Sequence, residues 1–276
     1  MSSVHGNINH AMRQNYNEFG VDEYYRKVAT TYRNPFFAGI KKVIFAFMNR
    51  WWEAEGHSIG EATLCVLEWE ALARGQQPAQ QPSEVASAVS AISSTSNVRA
   101  PFIPPNARRA ALTVSGKPLI GSELSKLSSN TPDILISATD PYTAPAYTER
   151  TSRPCHPLSF TDLSSDNLPP DHPAPDADGF SYDLIICSFA LHLVPEEEMF
   201  PICYELSRIG KWLVVIAPHK KPEIKEGWGW DRWDLLGWEE AGGRVYGGGG
   251  EDGDTETELE IIREKVKLRL YRSANA

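Results

Sequence analysis

Apolar residues recur at helical spacing early in the chain and condense into short runs after residue 133. After Asn34, the residues Phe36, Ile40, Val43, Ile44, Phe47, Met48, Trp51 and Trp52 fall on one wide face, which predicts a buried helix. Asn34 is placed to cap it, with Pro35 at its first position, where a missing N–H costs nothing. Gly56 is a natural stop. Upstream, "VDEYYRKVATTYRNP" (Val21–Pro35) predicts a shorter helix closed by Asn-Pro. Ser58 and Glu61 make an S-x-x-E capping box, so a further helix is predicted to about Arg74, with Gly75 after its end.

The later runs read differently. "DILISATDPY" (Asp133–Tyr142) is an apolar, β-branched strand that ends in an acid. "PLSFTDLSS" predicts a short strand around Leu158–Phe160. "YDLIICSFALHLV" (Tyr182–Val194) begins as a fully apolar strand, and "KWLVVIAPHKK" (Lys211–Lys221) is another. Between these two, "PEEEMFPICYELSRIG" predicts a helix whose first-turn acids suit the macrodipole and which Pro201 kinks. "LEIIREKVKLRLYRS" predicts a closing strand. Apolar runs alternating with helices indicate an α/β fold around a mainly parallel, Rossmann-like sheet with an antiparallel edge strand.

Composition sets the boundaries. Residues 1–20 are polar and expected to be flexible, and 21–276 form a single domain. Within it, residues 76–110 are rich in Gln, Pro, Ser and Ala. They offer too little apolar surface to repay ordering, so they read as a low-complexity insertion. "PLIGSELSKLSS" predicts a short helix after it. The formal charge of −9 disfavours a long nucleic acid as partner. No apolar run approaches the ~20 residues that span a bilayer, and no secretory signal opens the chain. Cys65, Cys155, Cys187 and Cys203 lack CxxC spacing, which predicts reduced thiols in a cytoplasmic or nuclear protein. His192 and His219 have no third partner at metal-ligand spacing, so no metal is expected.

The candidate chemistry lies at strand ends. In a doubly wound sheet, ligands sit beyond the carboxyl ends of the strands. Asp140 ends one strand, and a carboxylate there can accept both hydroxyls of a ribose. About twenty residues later, Phe160 can pack on a base while Asp162 accepts from its amino group. Each residue has a plainer alternative. Asp140 precedes Pro141 and can simply open a turn, and Asp162 can cap "LSS". His192 can be a core histidine, and Tyr24, Tyr25 and Tyr32 core aromatics. Trp228, Trp230 and Trp233 can plug a sheet edge.

The segments "YYRKVATTYRNP", "GEATL", "ATDPYTAPAY", "SFTDL", "YDLIICSFALHLV" and "ELSRIGKWLVVIAPHKKPEI" stand in an order that resembles the class I S-adenosylmethionine-dependent methyltransferases, and especially a fungal methyltransferase-like group. The resemblance covers roughly 18–66 and 134–273. It implies S-adenosyl-L-methionine as cofactor, with its ribose at Asp140 and its adenine at Phe160 and Asp162. Ser188, Phe189 and His192 would line the transfer site, with His192 the candidate base. Tyr24, Tyr25 and Tyr32 would cover the cofactor's methionine end. Trp228, Trp230 and Trp233 would shape the pocket of a small-molecule or protein methyl acceptor. The chain departs from the family where an apolar strand, usually carrying an acid, should enter a G-x-G-x-G loop. Only "GHSIGEATL" stands there, with Gly60 resembling the far end of the loop and the first strand missing. The alternatives to an active enzyme are a non-catalytic scaffold or binding protein of this fold, and a gene model that lost the strand and loop.

Overall fold

The computed structural model describes residues 12–28, 34–59, 63–69, 133–218, 221–242, 255–256 and 259–276. The insertion expected at 76–110 and the helix expected at "PLIGSELSKLSS" lie outside these residues, as do Gly60, Tyr32 and His219.

Five strands form the parallel part of the sheet: β1 (Leu64–Trp69), β2 (Ile134–Thr139), β3 (Cys155–His156), β4 (Tyr182–Ser188) and β5 (Gly210–Ala217). Four more follow: β6 (Trp230–Arg232), β7 (Thr255–Glu256), β8 (Ile261–Arg263) and β9 (Val266–Ser273). The order is β3-β2-β1-β4-β5-β9-β8-β7, with β6 also on β9. β9 runs antiparallel to β5, so the C-terminal strands build the antiparallel side of an open, mostly parallel Rossmann-like sheet.

Five α-helices are described: α1 (Met12–Val28), α2 (Phe37–Ile59), α3 (Ala144–Thr151), α4 (Phe160–Ser164) and α5 (Glu196–Ile209). Side chains alternate across a strand, so each apolar run serves two cores. Leu184, Ile186, Val214 and Ile216 meet Ile40, Val43, Phe47 and Trp51 of α2. Ile185, Cys187, Leu213 and Val215 meet Met199, Ile202, Cys203 and Leu206 of α5. Burial on both faces is why these strands read as continuous apolar runs. The four cysteines are free thiols. No described helix is long and apolar enough to cross a membrane.

The first strand is present, contrary to the sequence reading. The stretch expected as a helix after Ser58 contains β1, paired in register with β2 from Leu64↔Ile134 to Trp69↔Thr139 and with β4 from Val66↔Leu184 to Trp69↔Cys187. Leu64 and Val66 face the α2 core and Leu67 the α5 core. Ser58 opens nothing. Its hydroxyl donates to Glu55 O at 2.6 Å, inside the last turns of α2. Gly56 does not stop that helix either. A Cβ on it would come within 3.0 Å of the Trp52 ring, so the glycine makes room for the indole.

Four further differences follow from local geometry. α1 begins at Met12, within the stretch expected to be flexible, and kinks at Gly20, whose φ of 74° is not helical. The strand expected at Leu158–Phe160 is displaced to Cys155–His156, and Phe160 starts α4. The closing strand is a hairpin. Glu264 and Lys265 both take positive φ, 48° and 67°, so the chain reverses between β8 and β9. Finally, α5 runs unbroken past Pro201.

Candidate functional site

The strand order reverses direction between β1 and β4, and in such sheets the crevice at the carboxyl ends beside that point takes ligands. A cleft of about 510 Å³ lies there. The turn after β2 contributes Asp140, Pro141 and Tyr142. The segment after β3 contributes Ser159, Phe160 and Thr161, and the segment after β4 contributes Ala190, Leu193 and Val194. α1 adds Val21 and Tyr25, and the first turn of α5 adds Glu198.

Asp140 is almost fully buried, and its backbone N–H donates to His156 O at 3.0 Å, tying the end of β2 to β3. Its carboxylate organises the turn into α3. Oδ1 accepts from Tyr142 N at 2.8 Å and Thr143 N at 2.6 Å, and Oδ2 accepts from the Thr143 hydroxyl at 2.6 Å. The turn-opening alternative is therefore realised, on a residue that also lines the cleft.

Phe160 lines the cleft because Ser159 caps α4. The Ser159 hydroxyl accepts from Asp162 N at 3.1 Å, while Asp162 Oδ2 accepts from Ser159 N at 2.7 Å and from its hydroxyl at 2.6 Å. This is a complete capping box. The Ser159 hydroxyl and amide hold the Asp162 carboxyl below the ordinary carboxylate range. Asp162 is spent on the cap and is not among the cleft-lining residues.

At the end of β4, Ser188 is fully buried, and its hydroxyl has no partner among the described residues. Phe189 adopts φ 56°, a left-handed backbone that costs a non-glycine residue about 1–3 kcal/mol and that clusters at functional sites. Its amide donates to Ile216 O at 2.9 Å, its ring stacks on Phe36 at 5.4 Å, and it meets the His192 ring edge-on at 6.1 Å. His192 lies in a single 3-10 turn, Leu191–Leu193, next to the cleft-lining Leu193. Ser188, Phe189 and His192 are not among the cleft-lining residues, although Ala190 and Leu193 beside them are.

Tyr25 stacks on Tyr142, with centroids 5.7 Å apart and planes 14° apart, closing one side of the cleft. Tyr24 is fully buried, edge-on to Tyr25, and does not line the cleft.

Two carboxylates escaped the sequence reading. Glu68, at the carboxyl end of β1, is only 2% exposed and accepts from Tyr147 Oη at 3.3 Å. Burial, then the Glu68 charge, push the Tyr147 hydroxyl up. Glu68 is the acid of the first strand that seemed absent. Its signal, an acid directly after the four-residue apolar run 64–67, is hidden by the helix expected there. Glu198 looked like one of three macrodipole acids, and nothing else in the sequence singled it out.

Two assignments are corrected. Gly60 lies outside the described residues, but in chain order it precedes the amino end of β1, whereas a cofactor loop follows the carboxyl end. After Trp69 the chain reads "EALARG", with no glycine before Gly75. Trp230 and Trp233 do not shape the cleft. β6 pairs with the end of β9 that lies against the start of β5, at the opposite edge of the parallel strands. There the Trp230 indole donates to Cys203 O at 2.8 Å, and Trp233 packs on Trp212 at 5.2 Å beneath the Arg272 guanidinium. Trp228 meets Phe200 at 6.5 Å and is likewise outside the cleft.

No family model matches the chain. A curated relative from Schizosaccharomyces pombe, "Uncharacterized protein C17A5.05c", is 34% identical over 283 residues, covering 98% of this chain and 94% of the relative.

Proposed function

We propose that this chain, which belongs to the same family as the fission-yeast protein, is an S-adenosylmethionine-dependent methyltransferase acting on a small-molecule or protein acceptor. The observation that carries the reading is the chemistry of the cleft. Among the described residues its lining includes two carboxylates, Asp140 and Glu198, three aromatic rings, and no Lys, Arg or His. A dinucleotide or nucleoside triphosphate would bring phosphates against acids with no counter-charge. An adenosyl sulfonium brings a flat base, a neutral ribose and a positive centre, which suit rings and acids. The doubly wound order, the position of the cleft and the residue order of the resembling segments support the same reading.

The residues that would hold the cofactor are Phe160 and Thr161 at the base, the Asp140 turn at the ribose, and Tyr25 with Tyr142 as a side wall. When bound, the group supplies an activated methyl for in-line displacement by an acceptor nucleophile. The chain's own part is proximity, orientation and exclusion of water. Leu193 and Val194 present apolar surface at the β4 side of the cleft, and the neighbouring His192 is the one candidate to take a proton from an acceptor that must lose one.

A second reading is favoured by one observation, the lack of a glycine pair after β1. It makes the chain a binding protein or scaffold that keeps the adenosyl site without transfer. Titration calorimetry of the full chain with S-adenosylhomocysteine, S-adenosylmethionine and NAD tests the proposal. The expected outcome is saturable binding of the first two and none of NAD. No heat with either adenosyl ligand at millimolar concentration refutes it. Saturable binding without methyl transfer to any fraction of a cell extract selects the scaffold reading.

A further inference from the structure

We infer that the outer face of α5 is where two copies of this chain meet, as an antiparallel, two-fold symmetric helix pair. The surface is turned away from the sheet and does not depend on what the cleft binds.

α5 buries Met199, Ile202, Cys203 and Leu206 in the core. The opposite face of such a helix is ordinarily polar. Here it reads Glu197, Phe200, Pro201, Tyr204 and Arg208, all exposed and at i, i+3, i+4, i+7 and i+11 spacing. Phe200 and Tyr204 are 49% and 46% exposed, and their rings lie 6.0 Å apart. Trp228 extends the patch, meeting the Phe200 ring edge-on at 6.5 Å. Its segment is fastened to the helix by Lys225 on Glu196 at 2.8 Å and by the Trp230 indole on Cys203 O at 2.8 Å. Three neighbouring rings on an outer surface mark an interaction site.

The order of charges along the face names the occupant. An acid, Glu197, stands at its amino end, a base, Arg208, at its carboxyl end, and the aromatic residues between them. Such a surface complements itself when a second copy lies antiparallel. Centre the pair midway between Pro201 and Tyr204, and Pro201 lies level with Tyr204 of the other copy, and Glu197 with Arg208 of the other copy, because each stands equally far from the centre. Phe200 is then within one residue's rise, about 1.5 Å, of the level of Tyr204 of the other copy. Arg208 donates to Glu205 of its own helix at 2.9 Å, but its side chain is 60% exposed and carries five N–H donors, so it can serve both acids. An unlike partner would require neither the opposite ends nor their equal spacing.

Sedimentation velocity on the full chain, from roughly 1 to 200 µM, measures the pair. A patch of this size should give a weak dimer, with a Kd on the order of 10 µM. Phe200→Ala should abolish it over that range. Glu197→Arg or Arg208→Glu alone makes both end contacts repulsive and should weaken association by at least about tenfold. The double variant exchanges the two ends and should return the Kd to within about threefold of wild type. Circular dichroism checks that each variant is folded. Rescue in the double variant is the result that a merely structural role for these side chains would not give. A wild type that stays monomeric at about 200 µM overturns the assignment and leaves the face to an unlike protein. A dimer that survives Phe200→Ala, or a double variant as weak as the single ones, overturns it as well.

Discussion

Replacing Asp140 by alanine should damage the fold before it damages any ligand contact. The carboxylate accepts from three donors of its own turn, the buried amide and hydroxyl of Thr143 and the half-buried amide of Tyr142. A hydrogen bond to a charged group contributes about 1.5–3 kcal/mol, and removing the acceptor leaves its donors unsatisfied. Water reaching the cleft side of the turn can replace part of the loss at Tyr142. The expected cost is therefore about 3–4 kcal/mol, at the upper end of single substitutions. Asparagine should cost only about 1 kcal/mol, because its Oδ1 keeps both amides and its amide nitrogen can donate to the Thr143 hydroxyl. Urea unfolding followed by tryptophan fluorescence separates the two. With a slope of about 3 kcal/mol/M, alanine should lower the midpoint by roughly 1 M and asparagine by about 0.3 M. An alanine midpoint within about 0.2 M of wild type, or asparagine as harmful as alanine, would refute the reasoning. Asp140→Asn is thus the variant in which a loss of ligand binding can be attributed to the carboxylate.

Asp162→Ala should cost about 1 kcal/mol through loss of the cap. The folded-state depression of its pKa means that this stabilisation is present above the ordinary carboxylate range and is lost as pH falls through the depressed value. The urea-midpoint gap between wild type and Asp162→Ala should be full at neutral pH and shrink below about pH 3.9; a gap that widens on acidification contradicts the cap. Trp230→Phe removes the buried bond to Cys203 O and should lower stability by about 1–2 kcal/mol. It should nevertheless leave affinity for S-adenosylhomocysteine unchanged in calorimetry, since Trp230 sits at the far edge of the parallel strands; a clear loss of affinity would restore the Trp segment to the site.

What the sequence disclosed depended on whether partners were local. The face of α2 and the runs of β2, β4 and β5 declare themselves through their own periodicity, and Asp140, Phe160 and Tyr25 line the cleft. β1 does not, because the Ser58–Glu61 box before it and Gly75 after it punctuate a helix. Its six residues, apolar but for Glu68, are fixed as a strand only by partners some 70 and 120 positions later. The turn at Glu264 and Lys265 contains no glycine or asparagine, so the β8–β9 reversal left no turn signal. The Trp segment was assigned to the wrong end because β9 runs against the parallel strands and carries β6 away from the cleft. Asp162 and Glu198 are both single acids near an aromatic residue. Only the structure distinguishes the one bonded to its own helix cap from the one left facing the cleft.

Finding β1 in place relocates the departure from the methyltransferase pattern. The strand and its acid are there, as Leu64–Trp69 with Glu68, and what differs is the sequence leaving it, where "EALAR" puts a Cβ at every position up to Gly75. A glycine pair matters because it lets bare backbone approach a ligand. The groups available to a base and ribose do not depend on that approach: Phe160 is set by the Ser159 cap, Asp140 by its turn, and Tyr25 by its stack on Tyr142. The buried Glu68, the Ser188 hydroxyl, which has no partner among the described residues, and the strained Phe189 all lie at the carboxyl ends of β1 and β4. Under the proposed function, recognition of an adenosyl group and transfer of a methyl would therefore draw on different elements of this sheet. The proposed choice between enzyme and scaffold turns on the end of β1, and the cleft at the ends of β2, β3 and β4 suits either.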